Sequence, residues 1–134
     1  MKILCTICAR KGSKGLKNKN IKKIKGKHLI YFTIQQALKS KIFDEIVVSS
    51  DSRMILDLSK KYGIQNIIYR KKKLAKDNSP KIPVIRNCLK EIEKIKKKKF
   101  DIVIDLDITA PLRKVSDIKN ALKKFKKEKA PNLF

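Results

Sequence analysis

Between residues 9 and 20 the chain reads Ala9-Arg10-Lys11-Gly12-Ser13-Lys14-Gly15-Leu16-Lys17-Asn18-Lys19-Asn20, a segment with five cationic side chains, two glycines and no acid. Glycine lets backbone N–H groups approach an anion closely. Arg neutralises that anion through paired hydrogen bonds, and Lys does so as a point charge. The composition suits a polyphosphate. It contains neither the GxxxxGK[ST] loop nor the GxGxxG fingerprint, the two familiar glycine-rich phosphate binders. Gly12-Ser13-Lys14-Gly15 also fits the GxxG of modules that clamp single-stranded nucleic acid, but that loop joins two helices and this one follows a strand-like apolar run. The plain alternative is a basic surface turn.

Cys5 and Cys8 form a CxxC, which raises redox or zinc chemistry. Thioredoxin-type pairs open a helix, whereas these two fall within one strand-like run and so point to opposite faces. A four-ligand zinc site would have only Cys88 and His28 to add. Buried structural thiols are the expectation, and three cysteines in a chain of this kind do not suggest a disulfide framework.

The elements that must position these residues follow from hydrophobic period. Lys2 to Ala9 reads as a buried strand. Ile30, Ile34, Ala37 and Leu38 mark a helix over Leu29 to Leu38. Glu45 to Ser49 is a second strand, after which Ser50-Asp51-Ser52 caps a helix showing Met54, Ile55 and Leu58 on one face, closed by Gly63. Asn66 to Tyr69 is a third strand, and Arg70 to Pro80 a polar loop. Ile85, Cys88, Leu89, Ile92 and Ile95 outline a longer helix, and Phe100 to Leu106 a fourth strand. Val115, Ile118, Leu122 and Phe125 outline a last helix, with Ser116 and Asp117 in its first turn. Strands apolar on both faces that alternate with helices predict an α/β fold with a mostly parallel sheet. In such sheets ligands bind beyond the carboxyl ends of the strands, which is where the cationic segment falls.

Length and charge set the outer bounds. The 134 residues suit one domain, with 36 Lys+Arg against 12 Asp+Glu and a net charge of +24. Such an excess fits phosphate-bearing partners, yet only five of the basic residues are Arg and the Lys are spread along the chain. Compositional bias explains it equally well, and nucleic acid is not the expected partner. The aromatics are scattered at core-like spacings and form no platform for stacked bases. No apolar run approaches the ~18 residues of a membrane span, and no signal peptide opens the chain, so a soluble cytoplasmic protein is expected, without membrane contact.

Four motifs, in order, resemble the acylneuraminate cytidylyltransferase family, whose members activate sialic, legionaminic or pseudaminic acid as CMP-sugars. They are Ala9-Arg10…Ser13-Lys14-Gly15…Lys19-Asn20, Val48-Ser49-Ser50-Asp51-Ser52, Arg70-Lys71-Lys72-Lys73-Leu74-Ala75-Lys76-Asp77, and Asp107-Ile108-Thr109-Ala110-Pro111-Leu112-Arg113. The match runs through nearly the whole chain. The resemblance implies a Rossmann-like three-layer nucleotidyltransferase fold. Residues 1–134 would be its N-terminal nucleotide-binding portion, truncated before a C-terminal part, and Ala130 to Phe134 would lead into a further strand.

By the same resemblance CTP and an acidic nine-carbon sugar are the substrates. Arg10, Lys14, Lys19 and Asn20 would hold the CTP together with Gly12 and Ser13. Arg70 and Ser79 would face the nucleotide, and Thr109 and Arg113 would lie near the reacting centre, so that Arg10, Lys14, Thr109 and Arg113 carry the transfer. Mg²⁺ is the implied cofactor and a homodimer the implied assembly of the full-length family. Where many members have Gln this chain has Asp107, preceded by Asp105. An acid at 107 could ligate Mg²⁺ through one or two oxygens or alter sugar choice; the plain alternative for Asp105 is that it points to solvent from an alternating strand. His28 stands where the family often has Pro and is given no role. The missing half would supply sugar contacts and a metal-binding acid, so little or no turnover is expected of this chain alone. Two alternatives stay open: a nucleotidyltransferase for another acidic sugar, of the Kdo type, and a basic nucleic-acid-binding module.

Overall fold

The computed structural model describes residues 2–9, 23–24, 27–69, 81–108 and 114–128. A four-stranded parallel sheet organises them, built from β1 (Ile3–Ala9), β4 (Glu45–Ser50), β5 (Asn66–Tyr69) and β6 (Ile102–Asp105) in the order β5-β4-β1-β6. The helices between and after them are α1 (Leu29–Ser40), α2 (Arg53–Lys61), α3 (Lys81–Lys96) and α4 (Val115–Glu128). A short antiparallel pair that the sequence pattern did not suggest, β2 (Lys23–Ile24) with β3 (Lys27–His28), precedes α1. Two-residue strands are too short to show a period, and this pair places His28 in β3.

Alternation along β1 divides the core. Ile3, Cys5, Ile7 and Ala9 face α1, α2 and α4 through Ile30, Ile34, Ile55, Leu56, Ile118 and Leu122, whereas Leu4 faces α3 with Val47, Cys88 and Ile92. The result is three layers, with α3 the helix on the second face among the described residues. Because both faces are covered, β1 is apolar except for Thr6, and each fully buried Leu or Ile contributes roughly 1.5–3 kcal/mol.

Local chemistry fixes the element ends. Ser52 Oγ accepts from Ile55 N at 3.4 Å and caps α2, and Gly63, at φ 110°, ends it in the left-handed region. A Cβ added at Gly63 would also stand 3.4 Å from Leu38 Cδ1. Pro83 lies in the first turn of α3, where its missing N–H interrupts no helical bond. The lysines at and just after the end of α3 are partly tied down, because Lys96 and Lys98 reach Glu45 at 3.6 and 3.5 Å.

The helix faces differ from the periodic expectation at three places. Met54 is exposed and α2 buries Ile55, Leu56 and Ser59 instead. Leu38 and Ile95 also stand in solvent, and α3 gains Val84 in the core. Asp105 is a further correction. It is 4% exposed rather than pointing to water, because its face of β6 is closed. The stretch 130–134 lies outside the described residues.

Candidate active site

Parallel pairing brings the carboxyl ends of all four strands to one rim. From β1 the chain passes through α1 to β4 and through α2 to β5, moving outward. It then returns through α3 to β6 on the other side of β1. The order therefore reverses between β1 and β6. A crevice opens at such a switch point, beyond the strand ends, and is the usual ligand position in open α/β sheets.

Three segments that carry residues assigned from the sequence follow described strand ends at this rim. Arg10 directly follows the last residue of β1, Arg70 directly follows Tyr69 at the end of β5, and Asp107 stands two residues beyond the end of β6. Arg10, Gly12, Ser13, Lys14, Lys19, Asn20, Arg70, Ser79, Thr109 and Arg113 themselves lie outside the described residues. Asp107 is described and is exposed, between the buried Leu106 and Ile108. That suits a ligand to Mg²⁺, an ion held by one or two carboxylates together with substrate phosphates rather than by a full protein cage. No group of three or more His, Cys, Asp or Glu among the described residues forms a metal centre of its own.

The described part of the rim carries polar chemistry that the sequence reading did not assign. Thr6 Oγ1 donates to Asp105 Oδ1 at 2.8 Å across the β1–β6 pair, in a register that sets the two residues side by side. Both are buried. Ser49 lies on the same face of β4, and its Oγ is buried without a hydrogen-bond partner among the described residues. A buried polar group costs free energy unless it is satisfied, which is the physical signal that could have singled out Thr6 and Ser49 once their burial was known.

The second motif has a local role. Ser50 Oγ accepts from Ser52 N at 3.0 Å, so the turn after β4 is closed by its own serines before Ser52 caps α2. Beside it, the Arg53 guanidinium sits 5.5 Å from the centre of the Tyr69 ring, and Tyr69 is 53% exposed. Tyr69 thus departs from the core role expected of the aromatics. Tyr31 keeps a packing role, edge-on to Phe32 and Tyr62. Cys5 and Cys8 face opposite sides of the sheet, as their place in one strand requires, with Cys5 buried and Cys8 half-buried.

Known proteins share this architecture. CMP:2-keto-3-deoxy-manno-octonic acid synthetase, solved in complex with CTP, superposes with a TM-score of 0.76 at 23% identity, over 97% of this chain and 49% of that one. A cytidylyltransferase from Leptospira borgpetersenii superposes with a TM-score of 0.71 at 22% identity, over 93% and 49%. These likenesses concern the fold.

In sequence, the chain is 48% identical over 132 residues to post-translational flagellin modification protein B of Campylobacter coli, covering 98% of this chain and 56% of that protein. It is 49% identical over 109 residues to CMP-N,N'-diacetyllegionaminic acid synthase of Campylobacter jejuni, covering 81% and 46%. It is 40% identical over 134 residues to pseudaminic acid cytidylyltransferase of the same species, covering 100% and 57%. The chain thus spans about half the length of the curated relatives it matches. The cytidylyltransferase family model matches residues 4–133, nearly the full run over which the strands, the helices and the four motifs are laid out, and the chain belongs to that family.

Proposed function

We propose that this chain provides the nucleotide-binding portion of an enzyme that transfers CMP from CTP to an acidic nine-carbon sugar of the sialic, legionaminic or pseudaminic type, releasing pyrophosphate. The observation that carries this reading is the rim. β1, β5 and β6 end together, and the segments beginning with Arg10, Arg70 and Asp107 leave from those ends. The names of the relatives support the substrate class, since two of them are synthases or transferases of legionaminic and pseudaminic acid.

In this reading Arg10, Lys14 and Lys19 neutralise the triphosphate while the backbone at Gly12 and Ser13 approaches it closely. Asn20, Arg70 and Ser79 orient the nucleoside, and Thr109 and Arg113 lie at the reacting centre. The anomeric hydroxyl oxygen of the sugar forms a bond to the α-phosphorus. The bond from that phosphorus to the bridging oxygen breaks, pyrophosphate leaves with the electron pair, and the hydroxyl proton is released. No covalent enzyme intermediate is needed; orientation and charge neutralisation suffice. Mg²⁺, when bound, offsets charge on the phosphate oxygens, and Asp107 is the residue that would hold it. The working assembly is a cytoplasmic homodimer of the whole enzyme.

The test is a titration of CTP, UTP, ATP and GTP with Mg²⁺ at about 150 mM salt, an ionic strength that weakens purely electrostatic phosphate binding. Melting temperature is followed, with Lys14→Ala as the control. Selective stabilisation by CTP that Lys14→Ala abolishes is the expected result. Equal response to all four nucleotides, alongside DNA binding that persists at this salt, would replace the proposal with a nucleic-acid-binding one.

A further inference from the structure

The Thr6–Asp105 hydrogen bond occupies a particular place. It joins β1 to β6 across the switch point, at the last residue of β6, and one backbone bond follows it, from Leu106 N to Thr6 O at 2.9 Å. β6 ends at that tie, whereas β1 runs on to Ala9 beside β4, and the sequence after each strand carries one of the two segments on which the proposed reaction depends. One starts at Arg10, four residues after Thr6, and the other at Asp107, two residues after Asp105.

The carboxylate is 4% exposed, the Thr6 side chain is fully buried, and Asp105 Oδ2 is shut off from solvent as well. An apolar pair of similar volume in such a place is often neutral or favourable for stability, so a buried carboxylate and hydroxyl are not explained by stability alone. What they add is direction. Apolar contacts are non-directional, whereas a hydrogen bond of 2.8 Å fixes both the separation and the rotation of the groups it joins.

We infer that Thr6 and Asp105 are positioning residues for CTP, holding the phosphate-binding segment after β1 and the reacting-centre segment after β6 at one fixed separation, so that a nucleoside triphosphate spans both. The inference rests on the CTP reading. It differs from a purely structural role in one measurable respect. A ligand that needs both segments should respond to the pair, and one that needs only the first should not.

The experiment uses the full chain with Mg²⁺, measuring dissociation constants for CTP and for inorganic pyrophosphate, together with ligand-free melting. The variants are Thr6→Ser, which keeps the hydroxyl, and the double variant Thr6→Val/Asp105→Leu, which replaces the pair with apolar groups of similar size. The double variant is expected to melt within a few degrees of the original chain yet to bind CTP about tenfold more weakly. Its pyrophosphate affinity should stay within about twofold, and Thr6→Ser should bind both ligands as the original does. Unchanged CTP binding in the double variant, or a parallel loss of both ligands, would overturn the inference while leaving the CTP reading standing. Absence of CTP preference in the original chain would overturn both.

Discussion

Asp44 and Asp101 occupy matching places on the two sides of β1. Each lies just before a neighbouring strand and accepts a backbone N–H from the start of β1, Asp44 Oδ2 from Ile3 N at 2.6 Å and Asp101 Oδ2 from Lys2 N at 2.8 Å. Each returns its own amide proton, to Ile3 O and Lys2 O, both at 2.8 Å. The amino end of the central strand is therefore held from both sides, where the sheet ladder would otherwise fray. Asp44→Ala, which removes the part-buried acceptor, should cost about 1–2 kcal/mol, and Asp101→Ala, at an exposed bond, about 0.5 kcal/mol. Urea unfolding of the two variants checks the order, and equal losses would contradict it.

Lys41 and Lys97 follow the last residues of α1 and α3 and have φ values of 55° and 53°. This is the left-handed position at a helix end that glycine takes without steric cost. Lys41→Gly and Lys97→Gly should each stabilise the fold by about 0.5–1 kcal/mol, the relief of strain exceeding the extra freedom gained by the unfolded chain. A fall in melting temperature for both would show that the lysine side chains contribute more than their strained backbone costs.

Thiol labelling under native conditions should separate the cysteines. Cys5 and Cys88 are fully buried on opposite faces of the sheet, whereas Cys8 is half-buried near the rim. Cys8 should react first, with Cys5 and Cys88 following only as the protein opens. Rapid labelling of Cys5 would contradict its place inside β1.

Asp107→Asn should raise the Mg²⁺ concentration needed for CTP-dependent stabilisation by about tenfold, with little effect on ligand-free melting, since the residue is exposed. An unchanged Mg²⁺ midpoint would remove Asp107 from the metal site.

The strands and helices were legible because a parallel sheet covered on both sides gives short apolar runs, and the helices between them repeat every three to four residues. The departures have local causes. Ser59 takes a buried place on α2 because its hydroxyl donates to Ile55 O at 2.7 Å, so a polar residue sits in the stripe and Met54 turns outward. Ile95 is in the last turn of α3, a helix of 16 residues and about 24 Å, beside neighbouring strands of only four to seven residues. The burial of Asp105 was not legible because alternation tells which residues share a face, not whether that face is covered. Of the site itself, the cationic segment and the turn after β6 were legible as motifs, whereas the Thr6–Asp105 bond depends on residues 99 apart and no local pattern announces it.

The sheet order also sets a timetable for the growing chain. β1 can pair with β4 once Ser50 has been made, but its other edge waits for β6, some 55 residues later, an interval of roughly 3–11 s at about 5–20 residues per second. During it, Ile3–Ala9, uncharged and lacking proline, offers an open edge of the kind that recruits other chains. The lysines that carry the chain to a net charge of +24 are spread along it, so nascent copies repel one another while that edge is exposed.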